Sequence, residues 1–165
     1  MSFRSRLVLA AAYLLAAVVI ALAVPLALSV DRRATSELES DVVANATVLS
    51  GRVADLVRIG ATNQLNAVVA DATIGDDART VVVNRNGVVL ADSSGEAAAG
   101  EPFATAERPE FQAALVGGGV DVRQRRSDTR GEDLLLVTVP VTDRGDAIGA
   151  LRVSAPMGEV ESSVR

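Results

Sequence analysis

The sequence contains no histidine, no cysteine, no tryptophan and no lysine, and the first two absences close off specific chemistry. Without imidazole there is no Ser-His-Asp triad, no His-ligated zinc, no histidine general base and no phosphoacceptor histidine. Without cysteine there are no disulfides, thiolate metal sites, thiol nucleophiles or lipidated cysteine. Only Ser, Thr, Arg and carboxylates remain for chemistry, so the chain reads as non-enzymatic, with no cofactor and no metal. Aromatics are also scarce. Beyond the first thirty residues only Phe103 and Phe111 occur, too few for an aromatic cage around a quaternary ammonium. The core must therefore be built from Val, Leu, Ile and Ala.

Charge is unevenly spread. Residues 1–30 hold Arg4 and Arg6 and no acid, whereas residues 31–165 hold 14 Arg against 21 acids, near −7. Such a balance gives no overall basic character to attract nucleic acid.

Leu7 to Val30 is a run of 24 residues without a charge. At ~1.5 Å per residue it reaches about 36 Å, enough to cross a hydrocarbon core of ~30 Å with some tilt. Ala21-Leu22-Ala23 and Ala27-Leu28-Ser29 resemble signal cleavage sites, but a signal's apolar region is only ~7–15 residues. The run therefore reads as a retained transmembrane helix in the lipid bilayer. Arg4 and Arg6 favour a cytoplasmic segment 1–6, although Arg32 and Arg33 lie just past the other end.

From about Ala34 to Asp71 there is no Pro, and Leu38, Val42, Leu49, Val53 and Leu56 recur at spacings of 4, 7, 4 and 3. That periodicity predicts a membrane-proximal long helix over 31–75. Val42, Leu49 and Leu56 are heptad mates, so this stripe either packs on its own domain or forms the seam of a homodimer. Gly51 and Gly60 weaken it.

After Gly75-Asp76-Asp77 the period changes. Thr80 to Asn84 and Val88 to Ala91 flank Arg85-Asn86-Gly87, where Asn-Gly is expected to supply the positive-φ residues of a tight hairpin. Asp92 to Pro102 reads as a long surface loop. Pro109 fits the first turn of a short helix carrying Phe111, Ala114 and Leu115 and stopping at Gly117-Gly118-Gly119, with Arg108 non-helical before the proline. Val120 to Arg126 alternates as a half-exposed strand, while Leu134 to Val141 is denser and more buried. Asp143-Arg144-Gly145-Asp146 makes a turn, and Ala147 to Ser154 returns as a fifth strand. The predicted class is α+β: a transmembrane helix running into a long helix, then a five-stranded antiparallel PAS-like sheet with a short helix between strands 2 and 3.

The succession VVVNRNGVVLADSS, RPEFQAALVGG and DLLLVTVPVTDRGDAIGALRVSAP resembles the extracytoplasmic PAS-like domain, of PDC or single-Cache type, of bacterial two-component sensor histidine kinases. The resemblance covers about Ala34 to Pro156. Asn86-Gly87 matches the family's first hairpin, Arg108-Pro109-Glu110-Phe111 the start of its short helix, and Val139-Pro140-Val141 with Gly149 its last hairpin. It implies a sensor domain over 76–156 and residues 31–165 outside the cytoplasm. It further implies an exit helix beginning at 157–165 that leads, in a full-length parent, to a HAMP relay and a kinase core acting on a response regulator. The phosphoacceptor His and ATP-binding glycines of a kinase are not in this sequence, which makes it either a fragment or a separately encoded sensor half.

In PAS-like sensors the ligand sits between the sheet and the segment around the short helix. The corresponding residues here are Arg108, Arg123, Arg125 and Arg126, whose planar forks suit a carboxylate or phosphate. The plainer reading is that they lie in solvent or pair with Glu107, Glu110 and Asp128. Arg144-Gly145-Asp146 spells an adhesion tripeptide but is explained as a charged turn. Asn45-Ala46-Thr47 is a glycosylation sequon inside a predicted helix, and the acidic pairs lack the spacing of a calcium loop. The expected function is a membrane-anchored homodimeric sensor domain for an unknown small ligand, the input part of a histidine kinase. The alternatives are the input domain of a chemoreceptor or cyclic-dinucleotide enzyme, and a stand-alone single-pass protein that binds a partner.

Overall fold

The computed structural model describes residues 36–37, 39–72, 77–127 and 131–157, together with Tyr13, Leu15, Val18, Val19 and Ala21. The chain divides into two compact units, Met1–Glu37 and Leu38–Arg165. In the first, those five residues are helical with exposed side chains. The transmembrane reading of residues 7–30 and the cytoplasmic segment 1–6 otherwise lie outside the described residues, as does nearly all of the exit helix. Among the described residues, no helix is long and apolar enough to cross a membrane.

The second unit opens with helix α1, residues 39–59. Val42, Ala46, Leu49 and Val53, spaced 4, 3 and 4 residues apart, form one helical stripe and are at most 4% exposed. They belong to the same buried cluster as Val137, Val139, Leu151 and Val153 of the sheet, and Leu56 packs against it half-buried. The stripe thus faces the domain's own core. This corrects the dimer seam at Val42 and Leu49, because side chains enclosed inside one chain cannot meet a second copy.

The single helix predicted over 31–75 is also corrected. It breaks at Gly60, whose φ of +69° is left-handed. The Gly60 N–H donates to the Val57 carbonyl and the Ala61 N–H to that of Leu56, at 3.3 and 3.0 Å. This is the Schellman arrangement that ends helices at a glycine. A second helix, α2 (Thr62–Ala70), follows and buries Leu65 and Val69. The break changes the chain's direction, so both helices present an apolar face to one sheet.

The five strands are β1 (Arg79–Asn84), β2 (Val89–Asp92), β3 (Asp121–Arg126), β4 (Asp133–Asp143) and β5 (Asp146–Pro156), with helix α3 (Glu110–Leu115) between β2 and β3. The spatial order is β2-β1-β5-β4-β3, antiparallel throughout. Central β5 is buried from Gly149 to Pro156, whereas edge strand β3 is exposed from Arg123 onward. The contrast follows from position: β5 has strands on either side and covered faces, and β3 has one neighbour. Pro140 pairs only with Ala150 of β5, past the point where β3 ends opposite Thr138, as its missing N–H requires of a strand proline.

The sheet buries residues on both faces. Val82, Leu135, Val137, Val139, Leu151 and Val153 pack with α1 and α2. Val81, Val83, Val89 and Ala150 pack on the opposite side with Phe103, Phe111 and Ala114.

The two hairpins exchange their expected turn chemistry. The β1-β2 loop runs from Arg85 to Val88, and its left-handed position falls on Gly87 alone, with φ +75°. Asn86 does not adopt positive φ. Asn84 organises the loop: its carbonyl accepts from Gly87 N–H at 2.9 Å, and its Oδ1 accepts from the N–H groups of Asn86 and Val88 at 2.9 and 3.1 Å. The two-residue turn with positive φ at both positions is instead Arg144-Gly145, at +53° and +94°, joining β4 to β5.

Candidate ligand-binding cleft

On the α3 side of the sheet, a cleft of about 270 Å³ opens beside the aromatic cluster. Its floor follows from strand register. Arg79 of β1 and Leu136 of β4 both lie opposite Ser154 of β5, while Arg125 of β3 lies opposite Leu134. One step along, Arg152 of β5 lies between Val81 and Thr138. Because side chains alternate across a strand, these residues share one face. Arg108 and Glu96 line the cleft from the segment between β2 and α3, and Arg126 and Ser127 from the end of β3. Five arginines and two carboxylates, Asp77 and Glu96, line it.

Phe103 organises three of the arginines. It is 5% exposed, held through its N–H to the Gly87 carbonyl at 2.8 Å, and meets Phe111 edge-to-face with ring centroids 5.7 Å apart. The guanidinium carbons of Arg108, Arg152 and Arg79 lie 3.9, 4.9 and 5.9 Å from its centroid. A ring face attracts cations at these distances, and this helps hold like-charged side chains together. Arg108 also donates Nη1–H to the Phe103 carbonyl at 2.9 Å.

The partners of each arginine decide which charge is available. Arg79 forks onto Asp92, with Nε–Oδ1 at 3.0 Å and Nη2–Oδ2 at 2.6 Å, and also pairs with Glu96. Arg152 donates Nη1–H to Glu110 Oε1 at 3.1 Å, an ion pair in which the residues are 8% and 4% exposed. The Nε of Arg152 and the hydroxyl of Thr138 opposite it are buried without a hydrogen-bond partner. Burial pulls the Arg152 pKa below its ordinary value, against the hydrogen bond and charge of Glu110 and with the repulsion of Arg108 and Arg79. The group remains a cation, since guanidinium does not deprotonate in proteins. Arg125 has no ion-pair partner among the described residues.

Of the arginines singled out from sequence, Arg108, Arg125 and Arg126 line the cleft, and Arg126 also donates to the Gly131 carbonyl at 3.2 Å. Arg123 does not line it. It forks onto Asp121 at 2.6 and 3.0 Å on the exposed edge strand, and that pairing raises its pKa. Sequence reasoning missed Arg79 and Arg152. The available signal was Arg152 itself, a lone charge inside the apolar run AIGALRVSA.

No known protein family and no curated protein matches the chain. Solved structures do. The sensor domain of the Vibrio cholerae histidine kinase DctB superposes with a TM-score of 0.56 at 17% identity, over 79% of this chain and 56% of that one. The Escherichia coli DcuS sensor domain gives 0.62 at 18%, over 80% of this chain and 98% of that one. The ligand-binding domain of the Campylobacter jejuni chemoreceptor Tlp3, in complex with 4-methylisoleucine, gives 0.64 at 18%, over 83% and 58%. The chain thus spans a little over half the length of the first and third and nearly all of the second. The fold of this chain is the sensor-domain fold found in histidine kinases and chemoreceptors, as the resemblance over Ala34 to Pro156 implied.

Proposed function

We propose that the chain is the extracytoplasmic input domain of a membrane-anchored receptor and that it binds a small carboxylate or phosphate in the arginine-lined cleft. The observation that carries this reading is the convergence of Arg108, Arg125, Arg126 and Arg152 on one cleft of small-molecule size. Guanidinium forks match carboxylate and phosphate geometry, and partial burial strengthens such pairs. The output that best fits the resemblance is a two-component histidine kinase. A chemoreceptor output is the second reading, supported by the likeness to Tlp3. In either case the ligand acts only through its differential affinity for two arrangements of the receptor.

The receptor works as a homodimer in this proposal. With Val42 and Leu49 inside the domain, the apolar residues that α1 offers a second copy are Val48 and Ile59, at 65% and 61% exposure. They are eleven residues apart and so lie on one side of the helix.

A thermal-shift screen of the full chain in detergent, against carboxylates, amino acids and inorganic phosphate, tests the ligand class. Stabilisation by anions and not by their neutral amides is the expected result. No stabilisation by any anion would remove the reading.

A further inference from the structure

Glu110 is the first residue of α3, and its carboxylate points inward at a guanidinium rather than outward at solvent. It occupies only one edge of Arg152, accepting from Nη1, while the Nε–H is buried with no acceptor. Arg79 and Arg123 show the contrast within the same chain, because each gives Nε and Nη2 together to an aspartate. Arg152 is therefore a buried cation short of acceptors, and it lines the cleft. An unused guanidinium donor on a cleft-lining residue suits the oxygen of an anion.

Resting on the cleft as an anion site, we propose that Arg152 is the subsite for the ligand's carboxylate and that Glu110 is a built-in counter-ligand competing for it. Glu110 already shows which functional group this guanidinium accepts. A second carboxylate on the same guanidinium is repelled by the first, so the incoming group binds fully only as Glu110 withdraws. Because Glu110 begins α3, and α3 packs on β3, β4 and β5, its withdrawal moves the element that covers the sheet. Occupancy of the cleft is thereby converted into a shift of α3. No bond is made or broken; one ion pair is exchanged for another.

The test uses the full chain in detergent with acetate as probe, acetamide as its neutral isostere, and sodium chloride to hold ionic strength constant. Glu110→Gln keeps the shape and an acceptor oxygen but removes the competing charge, and it is expected to bind acetate about tenfold more tightly than the unmodified chain. Glu110→Asp, which retracts the carboxylate by one methylene, is expected to fall between the two and serves where the amide variant does not fold. Arg152→Gln is expected to lose the acetate response. If Glu110→Gln and Glu110→Asp bind acetate no more tightly than the unmodified chain, while Arg125→Ala weakens binding, the counter-ligand role falls and the cleft stands. If no variant distinguishes acetate from acetamide, both fall.

Discussion

Arg79, the first residue of β1, forks onto Asp92, the last residue of β2, and so fastens the open end of the first hairpin. The Asp92 side chain is 1% exposed and also accepts from the N–H groups of Ser94 and Ala97, so one carboxylate fixes both the hairpin and the start of the long loop. Burial alone would raise its pKa. The hydrogen bond from Arg79, followed by those from Ala97 and Ser94, more than offsets that and holds it below 3.8.

The pH dependence follows in sign. A depressed folded pKa contributes stability that is complete above the unfolded value near 3.8 and is lost as pH falls through the folded one. Asp92→Asn is expected to cost about 1.5–3 kcal/mol at neutral pH. It is also expected to flatten the acid limb of stability below about pH 4. Urea unfolding midpoints measured from pH 7 to pH 2.5 check both, and an unchanged acid limb would count against the role given to Asp92.

Gly149 of β5 lies opposite Asn84 of β1. A Cβ built there would come within 2.4 Å of the Val83 carbonyl oxygen, a backbone atom that cannot turn aside. Gly149→Ala is therefore expected to destabilise by about 3 kcal/mol or more, at the upper end of overpacking costs. Gly51→Ala, with nothing near its Cβ, is expected to stabilise α1 by about 1 kcal/mol. Equilibrium unfolding of the two variants reads the difference directly.

Arg144 is the sole non-glycine residue with positive φ among the described residues, at +53° in the β4-β5 turn. Arg144→Asn or Arg144→Gly is expected to raise stability by about 0.5–1 kcal/mol, since both tolerate the left-handed region better than Arg. A loss of stability on either change would show that the Arg144 side chain contributes more than its backbone strain costs.

The chain has no cysteine, so single-cysteine variants report cleanly on the proposed dimer. Oxidative cross-linking in membranes is expected at Val48→Cys or Ile59→Cys and not at Val42→Cys, which is 2% exposed inside the domain. Cross-linking at 42 with none at 48 and 59 would reverse the orientation assigned to α1.

The strands were legible in the sequence because their alternation and bounding turns are local signals: TVVVN and the LLLVTVPV run both form strands where expected. The break at Gly60 was less legible. A glycine at the end of one helix and in the middle of another look alike without the left-handed φ that tells them apart. The seam read from Val42 and Leu49 shows a similar limit, since a heptad stripe has the same spacing whether it meets a sheet or a second helix. Arg108, Arg125 and Arg126 were recognisable as forks near the short helix, but Arg123 was grouped with them because sequence does not show that Asp121 takes it. Arg152 and Glu110 are 42 residues apart, and only the packing of α3 on β5 brings them together.

The central claim is that an anion binds among the arginines of the α3-face cleft. Side-chain ¹⁵N spectra of the arginine Nε–H groups, recorded on the full chain in detergent during a carboxylate titration, test it most directly. Saturable shifts at Arg108, Arg125 and Arg152, with Arg123 unmoved on its Asp121 fork, are predicted. Equal drift of every arginine, or movement confined to Arg123, would contradict it.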